Sequence, residues 1–410
     1  MKKLLLVLLI LSLFINHLNA NEKDLQIIQK DKKEYRLLDK ESIQTRQQSQ
    51  KYDWISPIDL SGNIGRNHSF SDENSRNLNN KNTKSASIGF TQSIFESGGI
   101  GFKMDYADNR FKYEMLSWEN QNSQLIYTIY NTLLDIKKLK LEINQNDYRI
   151  VNKDIELIIK KIQYEAGKTD IIELNNAIMS KNLILKEEIA LKNSLKEKEQ
   201  ELAKYTDLKY DEIEILDFQE TNKDIFLDKN YSILEADAKV EMLNSEYKIK
   251  KSQYLPKLSL SAKASYSTQD EKFNSMINDT NKDDATSSGS LILSMPLYDY
   301  TKSSKIQESK IEVLKQKALV NDLKNETAFE YEQIFTKIDT YLKQNETINK
   351  NIKLYEELIG ANQISSEAGM TSKYDLEILE NTKTINEFDI LINKINILQQ
   401  YAKLYFKIKN

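Results

Sequence analysis

The spacing of apolar residues changes character twice along the first half of the chain, and the second half repeats the changes in the same order. Ile58, Leu60 and Ile64, with Gly62 between them, alternate with Asp59, Ser61, Asn63 and Gly65. That period of two predicts a strand with one greasy and one polar face. A polar loop of Asn, Asp and Ser over 69–83 follows. The alternation then returns, with Ala86, Ile88, Phe90 and Ile94 facing Ser85, Ser87, Gly89, Thr91 and Ser93, and Gln92 as a flaw on the greasy side. Strands at about 57–68 and 84–95 make a hairpin. From about 102 to 164 the pattern becomes helical and contains no proline. At ~1.5 Å of rise per residue such a helix extends roughly 90–95 Å. Tyr148, Val151, Ile155, Ile158 and Ile162 recur at steps of three and four, the spacing of a coiled-coil seam. Gly167 suits a helix end, and Thr169 or Asp170 can cap a second helix over about 169–205. So short a turn predicts two antiparallel helices in contact.

A helix over about 23–51 precedes the first hairpin. Beyond a linker at 207–222 the order begins again. A helix covers about 223–253, hairpin strands about 257–267 and 287–298, a long helix about 302–366 and a last helix about 372–409. Leu258, Leu260, Ala262, Ala264 and Tyr266 alternate with Ser259, Ser261, Lys263 and Ser265, and Leu291, Leu293, Met295 and Leu297 form the returning face. The second long helix carries Ile334, Ile338, Tyr341, Ile348, Ile352, Tyr355 and Ile359 on a seam interrupted at Asn345. Glu-Ala-Gly at 165–167 recurs at 367–369, Phe95 corresponds to Tyr298, and Pro57 to Pro256. Three landmarks at nearly one offset predict a tandem duplication, with repeats at 21–206 and 223–410. The fold class is therefore mainly α with a small β part.

Composition adds a compartment. Met1-Lys2-Lys3, the apolar run Leu4–Ile15 and the small or polar residues up to Ala20 read as a secretory signal peptide over 1–20, cleaved after Ala20. A dozen apolar residues fall short of the ~20 that a spanning helix needs. Loss of Lys2 and Lys3 takes the formal charge from -4 to about -6, so nothing here suggests nucleic acid. Zero cysteines exclude disulfides, thiolate chemistry and a lipoprotein's lipid-bearing cysteine. His68 is the one histidine left after cleavage, in a polar loop approach. No acid, base and nucleophile cluster, and no glycine-rich phosphate loop occurs, so the chain is expected to be no enzyme and to hold no cofactor or metal.

Two strands per half are too few for an independent sheet or a closed barrel. Their Ser-rich face and apolar face, edged by Trp54, Phe95, Tyr254 and Tyr298, fit a lipid-facing wall with interfacial aromatics around a wet lumen, provided several chains pool their strands. With the long helices aligned into a tube, that makes an exported conduit. The rival reading is an exported coiled-coil structural or adhesive surface protein without channel activity, which gives no reason for two Ser-alternating hairpins at one place in each half.

The duplicated halves, Leu255-Pro256-Lys257-Leu258-Ser259-Leu260 entering a strand, Phe95-Glu96-Ser97-Gly98 leaving one, Gly167 and Gly369 at helix turns, and Leu202-Ala203-Lys204-Tyr205-Thr206-Asp207-Leu208 closing the first half together resemble the outer-membrane efflux protein family, the TolC-like exit ducts of Gram-negative bacteria. The resemblance implies a homotrimer whose strands build a twelve-stranded outer-membrane barrel over a periplasmic α-helical barrel. It further implies an exit duct of a tripartite efflux pump or a type I secretion system, fed by a periplasmic adaptor and an inner-membrane pump or ABC transporter. Gly167, Lys168, Thr169, Gly369, Met370 and Thr371 would lie at the periplasmic tips that meet the adaptor. Asp375 matches the first position of an acidic ring that closes the entrance in some relatives. Ile378 stands where a second aspartate is expected, and the nearby Glu377 and Glu380 are ordinary solvated positions.

Overall fold

The structure, a computed structural model, describes residues 25–69, 79–214, 216, 218, 220–270, 282–367 and 372–409. The signal-peptide reading of 1–20, and Gly369, Met370 and Thr371, lie outside the described residues. The chain is mostly helical with one small antiparallel sheet, as its periodicity predicts, and it divides into two compact units.

One unit, 41–115 with 236–320, holds the sheet. Strands β1 (Asp59–Ser69), β2 (Asn79–Phe95), β3 (Lys257–Asp270) and β4 (Lys282–Ser294) follow one another in space as they do in sequence. Every neighbouring pair is antiparallel, so the two hairpins join through β2 and β3, with a register irregularity at Ser93/Phe95. β4 begins earlier than its alternation suggests and ends at Ser294 rather than near 298. Pro296 explains the stop, because a ring nitrogen has no hydrogen to give a ladder. Gln92, the flaw on the greasy side, has a local task. Its side-chain amide donates to the Trp54 carbonyl at 3.0 Å, and its oxygen accepts from the Ser56 amide at 2.9 Å. That pins the residues leading into β1.

The other unit, 25–40, 116–235 and 321–409 among the described residues, is helical. The chain supplies it from α1 (Lys30–Tyr52), α2 (Gly99–Glu165), α3 (Ile171–Leu202), α4 (Lys223–Asp228), α5 (Tyr231–Ser252), α6 (Lys302–Glu367) and α7 (Lys373–Tyr405). α1, α2, α5 and α6 also contribute a segment to the sheet unit. The duplication is written in single hydrogen bonds. The Gln29 amide donates to the Tyr205 carbonyl at 2.8 Å, and the Tyr231 amide donates to the Lys407 carbonyl at 2.9 Å. Both partners are displaced by 202 residues (29 to 231 and 205 to 407).

That second bond corrects the single helix expected over 223–253. Lys229 and Asn230 leave the helix to form a short antiparallel bridge with the chain end, where the Lys409 amide donates to the Lys229 carbonyl at 2.9 Å. Asn230 then caps α5 by accepting from the Ser232 amide at 3.0 Å. The core lies here, in Phe226, Ile334, Ile338, Leu404 and Ile408, and in Ile129, Leu133, Leu134 and Ile136 of α2. Phe218, from the stretch between the repeats, packs edge-on or tilted against Tyr130, Tyr405 and Phe406 with ring centroids 5.4–5.9 Å apart. Glu330 is clamped by Lys403 at 2.8 Å and Lys407 at 2.5 Å. Burial opposes its ionisation, but the two ammonium groups outweigh that and hold its pKa below the ordinary value.

The first seam needs correction. Of Tyr148, Val151, Ile155, Ile158 and Ile162, only Ile155 is buried. α2 instead turns polar residues inward. Gln145 donates to Asp389 at 2.6 Å, Asn146 donates to the Ile184 carbonyl at 3.3 Å, and Asn152 accepts from Asn381 at 2.9 Å. In the second seam, Asn345 is no defect, since it accepts from Asn393 at 2.9 Å. Amide pairs thus fix the register of neighbouring helices where apolar knobs are missing.

Candidate functional site

The pleat gives the sheet two chemically different faces. On one, hydroxyls meet across the strands: Ser61 with Ser87 at 2.8 Å, Ser265 with Thr286 at 2.8 Å, Thr91 with Ser261 at 3.1 Å and Ser93 with Ser259 at 3.4 Å. Asp59 and Lys263 share this face, and Ile292 is its apolar exception. On the other face, successive rows read Leu258 and Leu293; Gln92, Leu260 and Leu291; Phe90, Ala262 and Gly289; Leu60, Ile88, Ala264 and Ser287; and Gly62, Ala86, Tyr266 and Ala285. Leu60, Ile88, Leu260, Leu291 and Leu293 on this face are exposed. The next row changes to Ile64, Lys84, Thr268 and Asp283, and the one after brings Arg66 and Asn82.

From Leu258 to Tyr266 the apolar rows run about 26 Å along the strand at ~3.3 Å per residue, or roughly 20 Å upright once strands tilt by ~40°. The lipid-facing band of outer-membrane barrels is about 25 Å tall. Exposed apolar side chains in water would be a liability, whereas against hydrocarbon they are the stable arrangement. The hydroxyl face opposite offers water a surface that is polar throughout apart from Ile292 and carries only scattered charges such as Asp59 and Lys263.

The four aromatics expected at an interface sit differently from one another. Phe95 is exposed at the end of β2, and Tyr298 is 85% exposed beyond β4. Trp54 is half-buried, its carbonyl held by Gln92. Tyr254 departs from expectation. It is buried, hydrogen-bonded to Asp299 and stacked 5.4 Å under the Lys302 ammonium, so its ring is packed rather than presented outward. The residue pattern predicts aromatics only at this rim. Tyr266 occupies the opposite rim, exposed and hydrogen-bonded to Asp283, one row before the charged residues. The change from Tyr266 to charged positions was the available signal.

At the first helix turn Gly167 has φ 68°, a left-handed conformation open to glycine at no cost. Its amide donates to the Tyr164 carbonyl at 2.9 Å and the Lys168 amide to the Gln163 carbonyl at 2.8 Å, which is a Schellman closure. Of the two capping candidates, Asp170 caps α3, accepting from the Glu173 amide at 3.0 Å. Lys168 is exposed and Thr169 half-buried. Ile162, Tyr164, Ile171 and Ile172 are exposed around the turn. In the second turn, Ser372 caps α7 and Asp375 stands exposed in its first turn, where the helix dipole favours a negative charge. Glu377 and Glu380 are exposed and Ile378 is half-buried. Just beyond, α7 is tied to α2 through Asn381 and Asn152, and to α6 through Lys383 and Glu356 at 3.0 Å. Among the described residues no helix is long and apolar enough to cross a membrane, and no metal-binding cluster occurs.

Residues 224–403 match the sequence profile of the family described as "Outer membrane efflux protein". Among solved structures, the chain is similar to the outer membrane protein VceC of Vibrio cholerae, with a TM-score of 0.72 at 12% identity over 93% of this chain and 94% of that one. It is likewise similar to the CmeC outer membrane channel of Campylobacter jejuni, with a TM-score of 0.70 at 12% identity over 92% and 84%. The open-state MtrE outer membrane channel of Neisseria gonorrhoeae gives 0.68 at 11% identity over 94% and 87%. No curated protein matches the chain by sequence.

Proposed function

We propose, from the match of residues 224–403 to the outer membrane efflux protein family, that the chain is the outer-membrane exit duct of an efflux or type I secretion assembly. The observation that carries this is the two-faced sheet, with an apolar band on the scale of a bilayer on one side and a hydroxyl ladder on the other. Four strands cannot close around a passage, so the duct is a homotrimer that pools twelve strands and continues as a helical barrel in the periplasm. Trp54, Phe95 and Tyr298 sit at the periplasmic rim of the band, and Tyr266 at the outer rim. The apolar turn around Gly167, Lys168 and Thr169 meets a periplasmic adaptor, which couples the duct to an inner-membrane pump or ABC transporter. Gly369, Met370 and Thr371 are assigned the same role from the sequence.

Asp375 repeated three times around the threefold axis would draw cations to the entrance and resist its full closure. The duct reading is tested by reconstituting the purified full chain in a planar lipid bilayer. Discrete conductance from a detergent-stable trimer is the expected result, and a non-conducting monomer would overturn it. Divalent cations added on the tip side should block the wild-type channel more strongly than Asp375→Asn, and identical block would remove Asp375 from the gate.

A further inference from the structure

We propose that β4 of one copy pairs antiparallel with β1 of the next copy, displaced so that Leu60 falls opposite Leu291 or Leu293. The proposal rests on the duct reading and assigns the residues that close it. β1 and β4 are the two edges of the sheet. Within hydrocarbon an unpaired backbone group has no water to bond, so both edges need partners. Two copies would give eight strands, whose interior side chains fill, and three are the smallest set that encloses a passage.

Strand lengths select the register. Within one chain a single row joins Leu60, Ile88, Ala264 and Ser287. If that row simply continued into the next copy, Leu60 would meet Ser287. Residues 59–65 would then pair with 288–282, and 66–69 would overhang the end of β4. A displacement of four residues pairs all of 59–69 with 292–282, and one of six pairs them with 294–284. Odd displacements would turn apolar side chains onto the hydroxyl face. A displacement of four the other way leaves only 59–61 paired.

The barrel's slope agrees. A slide of four or six residues per four strands, at ~3.3 Å rise and ~4.8 Å spacing, tilts the strands by about 35° or about 46°, whatever the number of copies. Closed barrels tilt by roughly 35–45°. No slide would leave the strands upright. A second observation lies below the strands. Where β2 ends, the Ser97 hydroxyl donates to the Pro256 carbonyl at 2.7 Å, so the start of β3 covers that exit. Where β4 ends, Leu297, Tyr298 and Tyr300 are 91%, 85% and 87% exposed. They await the equivalent residues before β1, Trp54 to Pro57, of another copy.

The absence of cysteine from the chain makes the test direct. Ser61→Cys is combined in turn with Thr286→Cys, Ser290→Cys, Ile292→Cys and Ser294→Cys in the full-length protein, and oxidised in outer membranes. Within one copy, Ser61 and Thr286 lie three strands apart, about 14 Å, well beyond disulfide reach, so any cross-link joins two copies. The expected result is a reducible covalent trimer strongest at 290 or 292, with 286 at background. A maximum at 286 or 294, or no cross-link in variants that still run as trimers under reducing native conditions, overturns the register. Monomers in every variant and in the wild type overturn the duct reading itself.

Discussion

The chain leaves its sheet twice, at Phe95 to Gly99 and at Leu297 to Lys302, and the two exits differ although they hold the same place in the repeat. The first is packed and knotted. Glu96 is buried beside Lys103 at 2.9 Å, Ser97 and Gly98 adopt φ of 50° and 87°, and Gly99 approaches Ser252 so closely that an added Cβ would lie 2.9 Å from its hydroxyl. The second is open and held by short-range bonds. Asp299 accepts from the Thr301 amide at 2.8 Å and from its hydroxyl at 2.7 Å, while the neighbouring Tyr298 and Tyr300 are exposed and Tyr254 packs against it. An exit folds tightly where a strand of the same chain covers it and stays loose where the sheet ends. On the proposed register, the second exit is where the neighbouring copy would sit.

Substitution at the helix start should give the widest separation between the two exits. Gly99→Val drives a branched side chain into Ser252 and Glu96, and overpacking of this kind should cost about 2–4 kcal/mol. At the equivalent position Lys302→Ala loses only the stacking over Tyr254 and should cost no more than about 1 kcal/mol. Urea unfolding of the detergent-solubilised protein measures both. Equal losses would mean that the packed exit is no tighter than the open one.

The acidic residues come next. Burial alone would raise the Glu96 pKa, but the Lys103 hydrogen bond and charge, with Ser93 and Lys257, outweigh it and hold the pKa below the usual carboxylate value. A depressed carboxylate stabilises the fold above its unfolded pKa and loses that contribution as pH falls through its folded pKa. Glu96→Gln should cost about 1–3 kcal/mol at neutral pH, as a buried charged hydrogen bond is lost. The gap from wild type should narrow as the solution is acidified below the ordinary carboxylate value. Asp299, half-buried, also has its pKa lowered, chiefly by the Thr301 hydroxyl and amide. Asn can accept the same Thr301 bonds in its place, so Asp299→Asn should cost much less than Glu96→Gln at neutral pH, and its small gap from wild type should close as the pH falls.

The pattern of residues disclosed the strands and long helices because each repeats one period over many positions, as in Leu258 to Tyr266. It also disclosed the turn at Gly167, where only glycine takes the left-handed shape freely. What it hid depended on partners distant in sequence. Asn230 breaks a helix only because the chain end lies beside it, and nothing local marks that. Tyr254 looks like a rim aromatic until Asp299 and Lys302 are seen to enclose it. The seam through Tyr148 and Ile158 has the right spacing, yet α2 buries Ile129 to Ile136 and its amides instead. Only resemblance singles out Asp375 as a gate candidate, since an exposed acid in a first helical turn is otherwise unremarkable.

The smallest effect on the fold should come from the most conspicuous side chains. Leu297, Tyr298 and Tyr300 are almost free of their own chain, so changing Leu297 and Tyr298 together to Ser should move the unfolding free energy of the dissociated chain by less than about 0.5 kcal/mol. If these residues meet the segment before β1 of a neighbour, the same double variant should shift the detergent-resistant oligomer toward monomer at lower temperature. Phe95→Ser, at the covered exit, should do the opposite and weaken the chain more than the assembly. Heated gel shift and urea unfolding, run in parallel on both variants, separate the two effects. Should Leu297 and Tyr298 prove as costly to the single chain as Phe95, their exposure would not mark a surface awaiting a partner. The contrast between the exits would then be one of local chemistry alone.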